Sequence, residues 1–296
     1  MPTGHAATAT FGGLGMRSVV LANQVSDLFV TTVLGRRLVT PGMVRVTLGG
    51  PGLAAFRSTG VADESVRLYF PQTAEAPQHS AAFSIRHVRA GEIDVDFVLH
   101  PAGRASDWAA QAEPGDRVQI GRPRGQYAPP ADTAWQLLVA DAPGLPALGR
   151  ILEEMPAGTR AIVLAEVAEA AHQQALVSRA DVSVRWLIGS GNGRSPSRLD
   201  AAVRATALPS GAGYAWVAAE RTAAQPLRRY LRHDLGWVGH RYAVVRYWTA
   251  DLDAWLAAWA RLDPAIKAQV NALWASGLDP ETIADKIDDL TAPFGL

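Results

Sequence analysis

The chain has 296 residues, 48% of them hydrophobic and 19% charged, which is typical of a globular protein with room for two domains. Its 28 basic and 28 acidic residues give zero net charge, which argues against bulk binding to nucleic acid or to a membrane surface. Cysteine is absent, so disulfides, thiolate metal sites, iron–sulfur clusters and cysteine nucleophiles are excluded. The histidines lack metal-type spacing, so we expect no metal site, and any redox chemistry requires a bound cofactor.

Residues 1–25 are rich in Gly, Ala and Thr and are predicted to be a flexible N-terminus. No apolar run is long enough for a membrane span, and the first 20 residues lack the pattern of a secretory signal. We therefore expect a cytoplasmic protein without membrane insertion. A monomer is the default expectation, and the sequence leaves the oligomeric state open.

Residues 26–130 show short apolar strands separated by Gly and Pro turns, with one helix predicted at 105–111. Strands of this length and spacing favour an antiparallel β-barrel domain. The predicted strands are 28–34, 44–48, 65–70, 82–88, 93–99 and 117–120.

Residues 131–250 alternate apolar strands with helices, which is typical of an α/β domain with a parallel sheet covered on both faces. The boundary with the barrel is predicted within 125–134. The predicted strands are 135–140, 160–167, 182–188, 214–218 and 242–247, and the predicted helices are 145–155, 196–205 and 223–235.

Residues 251–296 are predicted to add a C-terminal helical extension of at least two helices. Trp255 and Trp259 share one helix face, and Asp279 followed by Pro280 is a good helix start. Half of a helix-turn-helix is the less favoured interpretation, because three aspartates would then face phosphates. They are Asp285, Asp288 and Asp289.

The start of the helix predicted at 105–111 is suited to binding a phosphate. A helix start carries unpaired N–H groups and a partial positive charge, and Gly103 and Ala105 allow an anion to approach the backbone. Phe83, upstream, can flank a ring system. Each feature alone is equally compatible with a core residue or a simple helix cap, and it is their order along the chain that favours a nucleotide site.

Taken together, these motifs resemble the siderophore-interacting proteins, which are flavin-dependent ferric-siderophore reductases related to ferredoxin reductases. The family pattern is Arg-x-Tyr-(Ser/Thr)-x-Arg, then Phe-Val-Leu-His, then Gly-Pro-Ala-Ser-x-Trp-Ala and Pro-Gly-Asp. The matching segments here are residues 81–86, 97–100, 103–109 and 114–116. Weaker matches at 44–53, 66–71, 141–147 and 247–248 extend the similarity over roughly residues 30–250.

The resemblance implies FAD as the cofactor, NADH or NADPH as the electron donor and a ferric siderophore as the substrate. It places Ser84 near the reacting flavin nitrogen N5 as the catalytic residue, and a loop at Glu220 near the nicotinamide. Basic side chains at Arg67 and Arg246 are expected to bind the siderophore, which is often anionic. The implied cofactor-binding residues are Phe83, Ser84, Ile85, Arg86, His100, Gly103, Ala105, Ser106, Asp141 and Glu220.

The chain departs from the pattern at the flavin motif. The first Arg, which meets the flavin diphosphate, is replaced by Ala81, and the Tyr is replaced by Phe83. A charge-assisted contact and a hydroxyl are thereby lost. Two alternatives therefore stay open beside the reductase: a siderophore-binding protein with a degraded flavin site, and a flavin reductase with another acceptor.

Glu166 ends the second strand predicted in the α/β domain. Its carboxylate could bond a ribose hydroxyl and favour NAD over NADP. A solvated carboxylate at a strand end is the preferred interpretation.

Overall fold

The computed structural model describes residues 28–71, 79–101, 103–191, 193 and 195–296. The predicted flexible N-terminus, residues 1–25, lies outside the described residues. None of the helices in the described segments combines the length and the hydrophobicity of a membrane span.

The first six strands form a closed antiparallel barrel in the order β1-β2-β5-β4-β3-β6. Alternate residues of each strand point inward, so Val44, Val46 and Leu48 are wholly buried in the barrel core. A helix, α1, lies between β5 and β6 in the chain. The bounds are β1 Phe29–Thr40, β2 Met43–Gly49, β3 Ser65–Tyr69, β4 Ser80–Arg89, β5 Glu92–Val98, α1 Arg104–Gln111 and β6 Arg117–Ile120.

The strand β1 is longer than the predicted segment 28–34. Its pairing with β2 shifts register between Val33 and Gly35 and again between Leu38 and Thr40. Such bulges let a strand continue through a Gly and two arginines that break the alternation of apolar residues.

The next five strands form a parallel sheet, as predicted, and the structure gives their order as β11-β10-β7-β8-β9. Leu138 packs with α2 on one face, and Leu137 packs with α3 and α4 on the other, so both faces are covered. The bounds are β7 Trp135–Ala140, α2 Leu145–Glu154, β8 Arg160–Val167, β9 Asp181–Ile188, α3 Leu199–Arg204, β10 Gly213–Glu220, α4 Arg221–Arg229 and β11 Tyr242–Trp248. A π-helical segment, Tyr230–Asp234, continues α4.

The C-terminal residues form a separate compact unit of helices, which confirms the predicted helical extension. Its helices are α5 Leu252–Arg261, α6 Pro264–Ala275 and α7 Pro280–Thr291. Asp251, Asp263 and Asp279 cap them, each accepting a hydrogen bond from a backbone N–H of the first turn. The Trp255 and Trp259 rings stack with centroids 6.0 Å apart, as their spacing predicted.

The barrel and the parallel sheet belong to one compact unit, and a buried aspartate joins them. Asp63, before β3, is only 4% exposed. Its Oδ1 accepts hydrogen bonds from the backbone N–H groups of Gln126 (2.8 Å) and Tyr127 (2.9 Å), in the segment between the two sheets. Its Oδ2 accepts one from the indole Nε1 of Trp216 on β10 (2.9 Å). A single carboxylate therefore fixes the barrel, the connecting segment and the sheet.

The next residue, Glu64, makes a second connection. Its Oε1 accepts hydrogen bonds from Nη1 of Arg150 on α2 (2.9 Å) and from the Ser58 hydroxyl (2.5 Å). Its Oε2 accepts two from Thr59. Burial raises the pKa of Glu64, but these hydrogen bonds outweigh burial and hold the pKa below its ordinary value. Arg150 also donates to Glu154, whose side chain is 47% exposed.

We predict that Glu64→Gln destabilises the protein by about 2–4 kcal/mol at pH 7, because it leaves a buried guanidinium without its buried counter-charge. The matched control is Glu154→Gln, which removes the exposed partner of the same Arg150 and should cost at most about 1 kcal/mol. Urea unfolding of wild type and the two variants measures both free-energy differences.

The Glu64 effect should depend on pH. Because the folded-state pKa is lowered, the stabilisation is present above the ordinary Glu pKa, near ~4.3, and is lost as the pH falls through the folded value. The difference between wild type and Glu64→Gln should therefore shrink in acid. Equal costs for the two variants at pH 7 would show that burial of this pair is unimportant.

Candidate functional site

The barrel meets the carboxyl end of the parallel sheet at Ser84. The Ser84 hydroxyl, on β4, donates a hydrogen bond to the hydroxyl of Tyr247 on β11 (3.1 Å). Burial raises the pKa of Tyr247, and the charges of Asp63 and Asp141 raise it further, so this phenol stays protonated at neutral pH. The predicted catalytic residue is thus held at the junction of the two sheets.

Phe83 belongs to an aromatic cluster formed by Phe70, Phe83, Phe97 and Trp108. Its ring centroid lies 4.5 Å from that of Phe97 and 6.2 Å from that of Phe70. Trp108, on α1, completes the cluster at 5.2 Å from Phe70. Phe83 is half-buried, so part of its ring is packed on the barrel core and part is accessible.

Two residues of the flavin motif at 81–86, Ile85 and Arg86, bind other parts of the protein. Ile85 is wholly buried in the barrel core, its N–H donates to the Glu64 carbonyl and its own carbonyl accepts from Arg150, and its contact with a cofactor stays a prediction. Arg86 is 8% exposed and donates both terminal nitrogens to the carboxylate of Glu153 on α2, one of them at 2.7 Å. In this geometry Arg86 ties the barrel to α2.

The start of α1 has the geometry of an anion site. Gly103 caps the helix without any side-chain hydrogen bond, so the first N–H groups of α1 lack a side-chain acceptor. A Cβ at Gly103 would lie 2.2 Å from the ring of the exposed His100, so the imidazole packs directly over this glycine. The Ser106 hydroxyl accepts a hydrogen bond from the His100 N–H (2.9 Å) and is buried, while Ala105 is half-buried on the barrel core. Backbone N–H donors beside the small residues Gly103 and Ala105 are suited to binding a diphosphate.

On the sheet side, Asp141 follows β7 and is 1% exposed. Its Oδ2 accepts hydrogen bonds from the Glu220 N–H (2.7 Å) and from the indole Nε1 of Trp248 (2.7 Å). Its Oδ1 is buried and has no hydrogen-bond partner among the described residues. Burial raises the pKa of Asp141 to about 7, against those hydrogen bonds, and the charge of Glu166 adds to the rise.

The Glu220 side chain caps α4. It accepts hydrogen bonds from the Thr222 N–H (2.5 Å) and from the Thr222 hydroxyl, and its other oxygen accepts one from the Ala250 N–H (3.1 Å). The carboxylate thereby holds the ends of β10 and β11 together. A contact between this loop and a nicotinamide stays a prediction.

Glu166 is completely buried, so its interpretation as a solvated carboxylate is wrong. It accepts hydrogen bonds from the hydroxyls of Ser190 and Ser197 (2.7 Å each) and from the Arg198 N–H (2.6 Å). Gly191, at φ 72°, lies so close that a Cβ would be 2.1 Å from the carboxylate. Glu166 organises the loop after β9.

The two predicted siderophore ligands come from different sheets. Arg67 lies on β3, and its Nη1 donates to the Ser80 hydroxyl (3.3 Å). Arg246 lies on β11, in register with Ala219 of β10. Their role in substrate binding stays a prediction.

The sequence interpretation missed the residues that hold this site together. Asp63 and Glu64 gave a signal, because two adjacent acidic residues immediately precede an apolar strand. Tyr247 and Trp248 contributed to the resemblance but were not assigned to the site. Nothing in the sequence indicated that Trp248 would bond Asp141.

Family models match most of the chain. Residues 32–82 and 75–127 match the siderophore-interacting FAD-binding domain, and residues 133–251 match the siderophore-interacting protein model. An NADPH-dependent ferric-chelate reductase of Escherichia coli strain K12 is 29% identical over 244 residues, covering 74% of this chain and 92% of the relative.

Solved structures agree with these matches. The structure of a siderophore utilization protein from T. fusca superposes with a TM-score of 0.69 at 31% identity, over 75% of this chain and 93% of that one. The siderophore-interacting protein SipS from Aeromonas hydrophila superposes with a TM-score of 0.66 at 29% identity, over 76% and 99%. The fold, the two matched domains and the flavin-type site together place this chain in the siderophore-interacting protein family, as an FAD-binding oxidoreductase.

Proposed function

We propose that this protein transfers electrons from NADPH or NADH through FAD to the Fe(III) of a siderophore, so that iron is released inside the cell. The observation that carries the proposal is the hydrogen bond between Ser84 of the FAD-binding barrel and Tyr247 of the parallel sheet. A position of Ser84 at the junction of the two sheets supports a catalytic role, because a cofactor on the barrel and a nucleotide at the carboxyl ends of the strands would meet there. The similarity to an NADPH-dependent ferric-chelate reductase supports the reaction.

The residues of the barrel fit FAD. The backbone N–H groups after Gly103 would hold the diphosphate, the accessible part of Phe83 would flank the ring system, and the Ser84 hydroxyl would face N5. FAD supplies the conversion of one two-electron hydride transfer into two one-electron transfers, which the protein cannot perform by itself.

Residues of the parallel sheet would position the nicotinamide nucleotide. Asp141 orients Trp248 through the indole N–H, and the buried carboxyl fixes the turn after β7, where a nicotinamide nucleotide would bind. Arg67 and Arg246 would attract an anionic siderophore. Two Fe(III) ions are reduced per NAD(P)H oxidised, and Fe(II), a softer cation, is poorly held by hard oxygen ligands and leaves.

One observation favours the alternative of a siderophore-binding protein with a degraded flavin site. Ala81 has no side chain beyond Cβ, and Phe83 lacks the hydroxyl of the family pattern. A flavin reductase with another acceptor is the second alternative. Absorption spectra of the purified protein with added FAD distinguish the reductase from a siderophore-binding protein, which would not bind the flavin. A screen of ferric siderophores, quinones and free flavins as electron acceptors distinguishes a siderophore reductase from a flavin reductase with another acceptor.

We predict that the purified protein binds FAD and oxidises NAD(P)H faster when a ferric siderophore is added. Ser84→Ala should retain FAD but slow flavin reduction by NAD(P)H roughly 10- to 100-fold, because the hydroxyl that would face N5 and that binds Tyr247 is lost. Stopped-flow bleaching of the flavin absorbance measures this rate. Ser183→Ala, on the exposed strand β9, is the control and should leave it unchanged. Failure of the wild-type protein to take up added FAD would contradict the proposal.

We predict that Asp141→Asn changes how stability depends on pH. The folded-state pKa is raised to about 7, so ionisation of Asp141 destabilises the fold as the pH rises from the ordinary Asp value through about 7. Asn cannot ionise. The free energy of unfolding of the variant, relative to that of wild type, should therefore rise by about 2 kcal/mol between pH 5 and pH 8. Urea unfolding at several pH values measures the difference. Asp181→Asn, on the exposed edge of β9, should show no such trend, and a flat profile for Asp141→Asn would refute ionisation near neutral pH.

A further inference from the structure

A group of basic side chains lies beside the first turn of α1. It consists of Arg67 on β3, His79 just before β4, and Arg104, the first residue of α1. His79 stacks on Phe70 with ring centroids 5.8 Å apart, and Phe70 contacts Trp108 of α1. Arg104 is four residues before Trp108 and therefore shares its helix face. These contacts bring His79 to the side of α1 that carries Arg104.

Arg67 approaches the same place from β3. Its guanidinium contacts the Ser80 hydroxyl, one residue after His79. Burial lowers the pKa of His79, and the positive charges of Arg104 and Arg67 lower it further, which agrees with this grouping. The lowered pKa leaves His79 neutral at pH 7, so the positive charge of this group comes from Arg67 and Arg104.

Arg104 is not neutralised by an acidic partner. Its side chain is exposed, and within the part of the chain that the structure describes it forms no ion pair. Asp107, in the same first turn of α1, makes no salt bridge to it there. An exposed guanidinium beside uncapped helix N–H groups is an arrangement suited to a diphosphate, which takes both charge and backbone hydrogen bonds.

The positions of the two departures from the family pattern complement each other. At position 81 the pattern has Arg and this chain has Ala81, which lies on β4 in register with Leu68 of β3. At position 104 the pattern has Pro and this chain has Arg104. One guanidinium is absent from the strand and one is present on the adjoining helix. The number of guanidinium groups at these two positions is therefore the same as in the pattern.

We propose that Arg104, together with Arg67, provides the positive charge that binds the diphosphate of FAD, in the role that the side chain at position 81 cannot fill. The inference rests on the proposed function only in that FAD is the cofactor. It implies that the flavin site of this chain is rearranged and not degraded.

The test compares FAD with riboflavin, which has the ring system but no phosphate. Dissociation constants come from quenching of flavin fluorescence on titration with protein. Arg104→Pro, which restores the residue of the family pattern at a helix position that tolerates Pro, should weaken FAD binding roughly 10- to 100-fold, the worth of one charge-assisted contact. Riboflavin binding should not change. Arg104→Gln, which keeps the helix former, should give the same result.

The rescue is Ala81→Arg combined with Arg104→Pro, which moves the guanidinium to the strand and should return FAD affinity to within about threefold of wild type. Arg36→Ala, an exposed arginine on β1, is the control and should leave FAD binding unchanged. Circular dichroism confirms that each variant is folded.

The outcomes are distinguishable. If wild type binds FAD and both Arg104 variants bind it equally well, the role of Arg104 is overturned while the proposed function stands. Equal losses for FAD and riboflavin overturn it as well, because the effect is then not on the diphosphate. A wild-type protein that binds neither flavin overturns this inference and the proposed function together.

Discussion

Two adjacent buried carboxylates, Asp63 and Glu64, fix how the barrel and the parallel sheet meet. A buried charge costs several kcal/mol unless it is paired and hydrogen-bonded, and each of the two carboxylates has one partner on the far side of the junction. Asp63 accepts a hydrogen bond from Trp216 of the sheet, and Glu64 pairs with Arg150 of α2. Any other docking of the two sheets would lose these two partners.

The site depends on this docking because neither sheet contains it alone. The barrel supplies backbone donors at the start of α1, an aromatic cluster and Ser84, while the sheet supplies Tyr247 and the Asp141 carboxyl. Arg86 is an example of a residue that joins the barrel to the parallel-sheet domain. Its place in a cofactor motif suggested a ligand, yet its guanidinium lies on Glu153 and holds the barrel against α2.

The two kinds of donor in the flavin site differ in how they tolerate substitution. Backbone N–H groups at the start of α1 are retained whatever side chains surround them. Side-chain charges, by contrast, can move between neighbouring elements, since a diphosphate responds to the summed field of nearby cations. The proposed role of Arg104 applies this principle to a chain that has Ala81 in place of the arginine and still matches the FAD-binding domain.

The sequence by itself determined the local elements and the fold class, because alternating apolar residues, Gly and Pro turns and helix caps act over short distances. The strands at Arg117–Ile120, Trp135–Ala140 and Arg160–Val167 were predicted to the residue. Tertiary structure alone decided the partners of charged groups: Arg86 with Glu153, Glu166 with Ser190 and Ser197, and Asp141 with Trp248. These pairs are separated by tens of residues, and whether a carboxylate is solvated or buried depends on which segments the fold brings against it.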